Sequence, residues 1–502
     1  MKTINKAIIF LMVLALTAVA TPSMAIEHEF HGMFRLGMVG SNYSGSEGPD
    51  YFSYNGSGMF ANTPDTGSKH RSTAFYLDQR TRIMYIAKID EDLKLVTQFE
   101  MNARWGDTDY KGSSISGGGA VGSDSVNLRT KHVFLDYTFH PWDLDINAKL
   151  GLQYFGDNYK GVFFSNDAAA AIFSTNIGKT SVRLAFSRFA DNGSTNYSGT
   201  TNYTGGSVNP YNTNGLLFGF NGTVLDADEG TVGAAYGDVS ADLYMLDAKY
   251  KVNKDLTIGG SYYFLYSDIA RKLYGVTEST LNGYTYHVKY RANVHMLGFN
   301  AQGRLGPVDV NGFFLYQFGK TVSKNISAFA ANLGAKMKLG PGTIKAELLY
   351  MSGDDGNRDN KTNAFVAIGG ECGYMVTGLQ FLARDNLLIS NRNSSLFYDN
   401  NAGQGMMLGW VGYDLPLTKK LTFSTNVGYG AVAKQNQNVV TSSGQNLGTE
   451  VNISFPYKAR ENFTIAPRFA YVFLGDFFNG LAENGQDPDD IYSASLVMLL
   501  KW

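Results

Sequence analysis

Cysteine is almost missing from this chain: one residue, Cys372, in 502. A single thiol excludes an intrachain disulfide framework, and it excludes covalent c-type haem, which needs two cysteines in C-x-x-C-H. Charge is sparse as well. Asp, Glu, Lys and Arg make up 17% of the residues, against about a quarter in an average soluble domain. Long apolar runs are absent after the first 25 residues, so no helix of about 18 apolar residues is available to cross a membrane. No strongly basic stretch invites nucleic acid.

Glycine and aromatics are what the chain has in excess. There are 57 Gly, 31 Tyr and 33 Phe, yet the mean hydropathy of −0.17 is not that of a hydrophobic protein. Residues 1–25 read as a separate object. Lys2 and Lys6 form a positive start, Ala7 to Ala20 an apolar run, and Ser23-Met24-Ala25 a small-x-small cleavage site. This is the pattern of a secretory signal peptide, and it is excluded from the fold. Ile26 follows the cleavage site where a lipoprotein would have Cys. The expected mature chain, 26–502, then holds 40 basic and 44 acidic residues, a net charge near −4.

The dominant period is two. In "TAFYLDQRTRIMYIAKI", Phe75, Leu77, Ile83, Tyr85, Ala87 and Ile89 share one face, and Asp78, Arg80, Arg82 and Lys88 share the other. "LKLVTQFEMNARW" repeats this, with Leu93, Leu95, Phe99, Met101 and Trp105 opposed to Lys94, Gln98, Glu100, Asn102 and Arg104. Strand residues alternate between faces, so each stretch is a strand with one apolar and one charged side. A three-residue turn at Asp90–Asp92 puts Arg82 opposite Glu100 and Asp78 opposite Arg104. A slip of one residue would put Arg82 against Phe99, so the pattern selects its own register. A second hairpin turning at Gly306-Pro307 places Arg304 opposite Asp309 and Gln302 opposite Asn311. A third repeats the same L-G-P turn.

Further two-sided stretches fall near 29–39, 127–139, 144–155, 180–190, 241–268, 404–433, 447–474 and 490–502. The connectors include tight turns, such as "DED" and "GP", and long Gly/Asn/Ser/Tyr-rich loops, such as Gly40–Arg71, Gly106–Val126 and Asp191–Ser240. Short turns at one end and long loops at the other describe an all-β, up-and-down antiparallel transmembrane barrel with periplasmic turns and extracellular loops. Several strands run 11 residues or more, the length a tilted membrane strand needs and longer than the usual strand of a soluble sandwich. About 18 strands fit residues 26–502, with 16 to 20 as the range. Trp105, Trp142, Tyr154, Phe155, Trp410 and Tyr413 lie at strand ends, as interfacial girdles require.

On these residues the chain resembles a Gram-negative outer-membrane porin. The specific echoes are "DQRTRI…FEMNARWGD", "KLGLQYFGD" and the terminal strand. Porin-like barrels, polysaccharide-export barrels among them, often open with an R-x-R strand followed by an E…W-G-D strand, here Arg80, Arg82, Glu100, Trp105, Gly106 and Asp107. The resemblance implies a single outer-membrane barrel that carries solutes across. Trp502 departs from the commoner terminal Phe.

An apolar face against lipid leaves the charged face for the lumen, since Lys or Arg facing lipid costs about 2–4 kcal/mol at the midplane. The expected channel-lining residues are Asp78, Arg80, Arg82, Lys88, Lys94, Glu100 and Arg104, continued by Lys131, Asp136, Lys149 and Arg183. Charge on a pore wall sets ion and solute preference, although pairs that merely neutralise each other would only hold the wall. Mixed signs favour neither ion. Tyrosine-rich loops, "DYFSYNGSGMF" and "NPYNTNGLLFGF", are candidates to fold inward and narrow the pore. The acidic groups Asp226/Asp228/Glu229, Asp354/Asp355/Asp359 and Asp487/Asp489/Asp490 match no calcium-loop spacing and read as solvated turns. His132 and His295 read as lumen or girdle residues. No nucleophile motif or P-loop occurs, so no catalysis, cofactor or metal is expected.

Two functions fit. One is passive passage of small hydrophilic solutes or ions. The other is a porin-like sheath around multihaem cytochromes, which needs a wide and uncrowded lumen. The expected surroundings are a lipid bilayer and the outer-membrane assembly machinery. A homotrimer is common among porins, but no interface signature is visible. In the last strand Tyr492, Met498, Leu500 and Trp502 share the lipid face, and a terminal aromatic of this kind resembles the assembly signal of outer-membrane barrels. Trp502 would sit at the periplasmic interface and help the last strand pair with the first, near Phe30–Val39.

Overall fold

The structure is a computed structural model. It describes residues 26–43, 73–106, 119, 121, 127–191, 240–267, 278–281, 284–287, 292–320, 324–356, 360–368, 374, 378–383, 387, 403–435, 444–480 and 485–502. The stretch read as a signal peptide, Cys372, the two tyrosine-rich loop sequences and the acidic group at 226–229 lie outside the described residues, as does Asp359.

Alternation produces long strands, and the strands close on themselves. The wall is an 18-strand antiparallel barrel: β1 Glu27–Ser41, β2 Ala74–Lys88, β3 Leu93–Arg104, β4 Asn127–Phe139, β5 Ile146–Gly156, β6 Ser165–Ile177, β7 Thr180–Asp191, β8 Ser240–Lys251, β9 Leu256–Ser267, β10 Ala292–Leu305, β11 Val308–Lys320, β12 Asn325–Leu339, β13 Gly342–Met351, β14 Met406–Pro416, β15 Thr422–Ala431, β16 Asn446–Ser454, β17 Phe463–Leu474 and β18 Ile491–Lys501. Three smaller pieces are additional to these strands: a hairpin, Glu278–Leu281 with Tyr284–His287; Lys361–Thr362, paired parallel with the start of β12; and Tyr457–Arg460, paired with the start of β17.

Each wall strand pairs with its neighbour in sequence, and β1 pairs with β18 from Met33↔Lys501 to Ser41↔Ser493. The seam is extended by Trp502, whose amide donates to Gly32 O (3.1 Å) and whose carbonyl accepts from Gly32 N (3.0 Å). Closure leaves no edge strand and satisfies the backbone without water, which hydrocarbon requires. The hairpin registers follow the charge pairing: Arg82↔Glu100 and Asp78↔Arg104 at one turn, and Arg304↔Asp309 at another.

The apolar face is the outer one. Phe75, Ile83, Leu150, Leu184, Leu246, Phe299, Leu333, Leu348 and Phe469 are exposed on it. A row of rings runs across β7 to β11 on this face: Phe186, Tyr244, Phe264, His295 and Phe318 are successive register partners. His295 stacks between Phe264 and Phe318 and meets the Tyr262 hydroxyl at 2.7 Å. Trp105, Trp142 and Tyr154 are exposed, as a girdle needs, but Phe155 and Trp410 are not girdle residues. Both are buried on the inner face, because alternation turns them inward against segments that enter the lumen. His140 and Trp142 lie in the β4–β5 turn, on the end with the short turns and both chain ends of the barrel.

Candidate functional site

Two connectors at the long-loop end fold into the barrel. The first, residues 157–164, is built on one carboxylate. Asp157 Oδ1 accepts the amides of Tyr159 (2.7 Å) and Gly161 (2.9 Å), and Oδ2 those of Phe163 (2.7 Å) and Phe164 (2.8 Å). Burial pushes the Asp157 carboxyl up, while the four amides pull it down. The tight turn holds Lys160 at φ 61° and Gly161 at φ 78°. A left-handed Lys is strained, and such strain gathers at functional sites. Tyr159 and Phe163 are fully buried against Tyr263 and Phe313 of the wall. The Tyr159 ring lies on Gly298, where any Cβ would collide with it. Burial pushes its hydroxyl up to about 12, so it stays neutral.

The second segment comes from the long β13–β14 connector. Gln317 of β11 grips it by the backbone: Nε2 donates to Val366 O and Oε1 accepts from Val366 N, both at 2.7 Å. Ile368 N donates to Phe163 O (2.7 Å), which joins the two segments. Glu347 of β13 is a second junction. Its carboxylate takes Lys160 Nζ from the first segment, Tyr374 Oη from the second, and Asn332 Nδ2 (2.9 Å) from the wall. Further along, Phe381 and Leu382 are buried beside Glu450 of β16.

These segments bank against one side of the barrel. Their apolar cluster draws inner residues from β5 round to Ile491 of β18, and none from β2, β3 or β4. The β1–β4 wall is left for charge. There Arg82 Nη2 meets Glu100 at 2.7 Å and Arg80 Nε meets it at 3.3 Å; Arg80 also donates to Asn102 (2.8 Å), and Arg104 Nε to Asp78 (2.8 Å). Arg35 stands opposite Arg80 in register, and Arg129 opposite Glu100. Among the described residues in the long-loop half of this wall, five guanidiniums thus share the inner face with two carboxylates, Asp78 and Glu100, while Glu27, Glu29 and Asp136 lie on the same face toward the short-turn end beside Lys88 and Lys94.

The other residues expected to line the channel spread out. Lys88 and Lys94 face each other near the short-turn end, where Lys88 pairs with Glu29 and, at 3.5 Å, with Glu27. Asp136 lies 3.7 Å from Lys149 and accepts Asn147 Nδ2 at 2.6 Å. Arg183 is bound to Asp247 (2.6 Å), which also takes the hydroxyls of Ser261 and Tyr263, each at 2.6 Å. Lys131 lies beside the arginine row, where its charge acts on Glu100. A bulge in β4 displaces it, and it pairs with Asp167 together with His132 Nε2 (3.1 Å).

Sequence reasoning missed Asp157, Lys160, Glu347, Glu450 and Gln317. Only Glu347 and Glu450 carried a signal, a carboxylate on the charged face of an apolar strand; their partners lie in connectors without periodicity. The acidic turns hold backbone: Asp354 accepts Gly356 N (2.9 Å) and Asn363 N (3.0 Å), and Asp490 accepts Leu474 N (2.9 Å). No metal-binding group occurs among the described residues.

No protein-family model and no curated protein matches the chain. Solved structures do. OccAB4 of Acinetobacter baumannii superposes with a TM-score of 0.50 at 10% identity, over 96% of this chain and all of the other. The chain has the outer-membrane porin fold. OccK5 (OpdH) of Pseudomonas aeruginosa matches with a TM-score of 0.48 at 12% identity, covering 95% of this chain and 98% of the other. The Pseudomonas aeruginosa outer membrane protein opdK matches at 0.47 and 10% identity, with the same coverage.

Proposed function

We propose that the protein is a passive channel of the Gram-negative outer membrane for small hydrophilic solutes, with a lumen that favours anions. The observation that carries this reading is the asymmetry of the lumen. Apolar chain packs against the wall from β5 round to β18, and the long-loop half of β1–β4 presents five guanidiniums against two carboxylates. Charge that lines a passage selects by sign. Asp78, Arg80, Arg82, Glu100 and Arg104 are the residues to which selectivity is assigned, joined by Arg35 and Arg129. Lys88, Lys94, Asp136, Lys149 and Arg183 are assigned to the rest of the passage. No catalytic role is assigned to any residue.

The sheath reading loses support from the same packing. Segments fixed by Gln317, Glu347 and Glu450 occupy part of the lumen that a multihaem protein would have to fill. Tyr492, Met498, Leu500 and Trp502 are proposed as the assembly signal. Purified protein in a planar bilayer tests the channel reading. Stepwise ohmic currents are expected, with a reversal potential of anion-favouring sign under a salt gradient. Folded protein that inserts without conducting would refute it.

A further inference from the structure

We propose that Glu450 is the positioning residue that sets the width of the pore, by holding residues 378–383 against the inner wall. This rests on the channel reading above. Glu450 is fully buried, and its carboxylate points at backbone rather than at a cation. Oε1 accepts the amide of Gln380 (2.7 Å), and Oε2 those of Phe381 and Leu382 (2.9 Å each). Asn452, two residues along the same strand face, donates to Glu450 Oε1 (2.7 Å) and to Gly378 O (2.9 Å). A carboxylate that receives several amides at once makes stronger bonds than a neutral acceptor would. An amide side chain could accept at one oxygen only, and its NH2 would oppose a backbone N–H.

The wall beneath is shaped for the same segment. Leu379 lies over Gly428, where a Cβ would come within 2.7 Å of its side chain. Leu382 lies over Gly430, where a Cβ would come within 3.1 Å. In return Gly378 lets the Trp410 ring approach, since a Cβ there would stand 2.7 Å from it. Gly428 and Gly430 are strand residues and none of the three has a positive φ, so close packing accounts for the missing side chains. The grips on 378–383 come from β14, β15 and β16, from Phe469 O of β17, which accepts Gln380 Nε2 at 3.4 Å, and from the Tyr43 ring against Phe381; Glu450 makes three of the hydrogen bonds. With Glu450 gone, these amides face an apolar wall unpaired, and the lumen is the only place where water can satisfy them. The segment then leaves the wall, and the pore takes a different width.

The experiment is single-channel recording of Glu450→Ala beside wild type, with folding checked by heat-modifiable gel migration. Conductance is expected to change by roughly two-fold or more, because pore diameter governs conduction. A cross-link should restore it. In a Cys372→Ser background, Leu382→Cys with Gly430→Cys brings the γ position of residue 382 within 3.8 Å of a Cβ at 430, within reach of a disulfide after a small shift. Oxidised Glu450→Ala carrying this pair is expected to conduct like wild type, and reductant to reverse this. Should Glu450→Ala fail to fold, Gly428→Val displaces the segment with Glu450 intact, and the same change is expected. A folded Glu450→Ala or Gly428→Val barrel with wild-type conductance overturns the assignment, as does a change that the disulfide leaves untouched. A silent, folded wild-type barrel refutes the channel reading instead.

Discussion

Reversing one charge on the arginine wall gives the most quantitative prediction. Arg82 is partly exposed to the lumen, with its guanidinium 2.7 Å from Glu100. Arg82→Glu changes the wall by two charges. For an ion passing about 6 Å away in water, two charges are worth about 1.4 kcal/mol. Screening over a Debye length of about 8 Å reduces this to about 0.7 kcal/mol, a factor of about three. The anion loses that factor and the cation gains it, so the anion:cation permeability ratio should fall about ninefold. Arg80, 3.3 Å from Glu100, remains to neutralise it, so insertion should survive. Reversal potentials under a tenfold salt gradient measure the ratio. An unchanged reversal potential from normally inserted Arg82→Glu channels would mean that these pairs only hold the wall.

Three further outcomes are expected. Deleting Trp502 removes the backbone pair with Gly32 that ends the seam, and should lower the folded yield while the surviving channels keep wild-type conductance; equal yields would remove its assembly role. Asp157→Ala strips the acceptor from four buried amides. An unmet buried amide costs about 1–3 kcal/mol, so hydrogen-exchange protection at 159–164 should drop by about 30-fold or more, and unchanged protection would contradict the anchor. His140, in the β4–β5 turn, is held above its ordinary value by Asp145 and then Asp92. A raised His stabilises below about pH 6.5 and loses its contribution as pH rises through the raised value. His140→Gln should therefore unfold at a lower temperature than wild type at about pH 5.5 and match it at about pH 8.5. A gap that is the same at both would exclude the ion pairs as its cause.

The wall is legible in the sequence because a membrane barrel obeys one rule on each face. Alternation locates most strands, and opposite charges alone are enough to set the Arg82–Glu100 register. The strand Ser165–Ile177 escapes because its run Ala168–Ala171 offers neither charge nor bulk to show a face. Phe155 and Trp410 mislead for a related reason. Aromatics near strand ends suit a lipid interface, but they suit an inner surface equally well where chain packs against it. The inner segments leave no periodic trace. Their positions depend on side chains that hold backbone groups, Asp157 within its own turn, Gln317 on Val366 and Glu450 on Gln380 to Leu382. The last two pairs lie 49 and 70 residues apart. A carboxylate that binds amides looks, in sequence, like any lumenal acid.

The central claim is that the lumen conducts and prefers anions. Reversal potential across a planar bilayer holding the purified wild-type barrel, under a potassium chloride gradient, measures both at once. The account requires discrete ohmic steps and a reversal potential displaced toward that of chloride. Folded, inserted protein that stays silent, or a reversal potential displaced toward that of potassium, would contradict it.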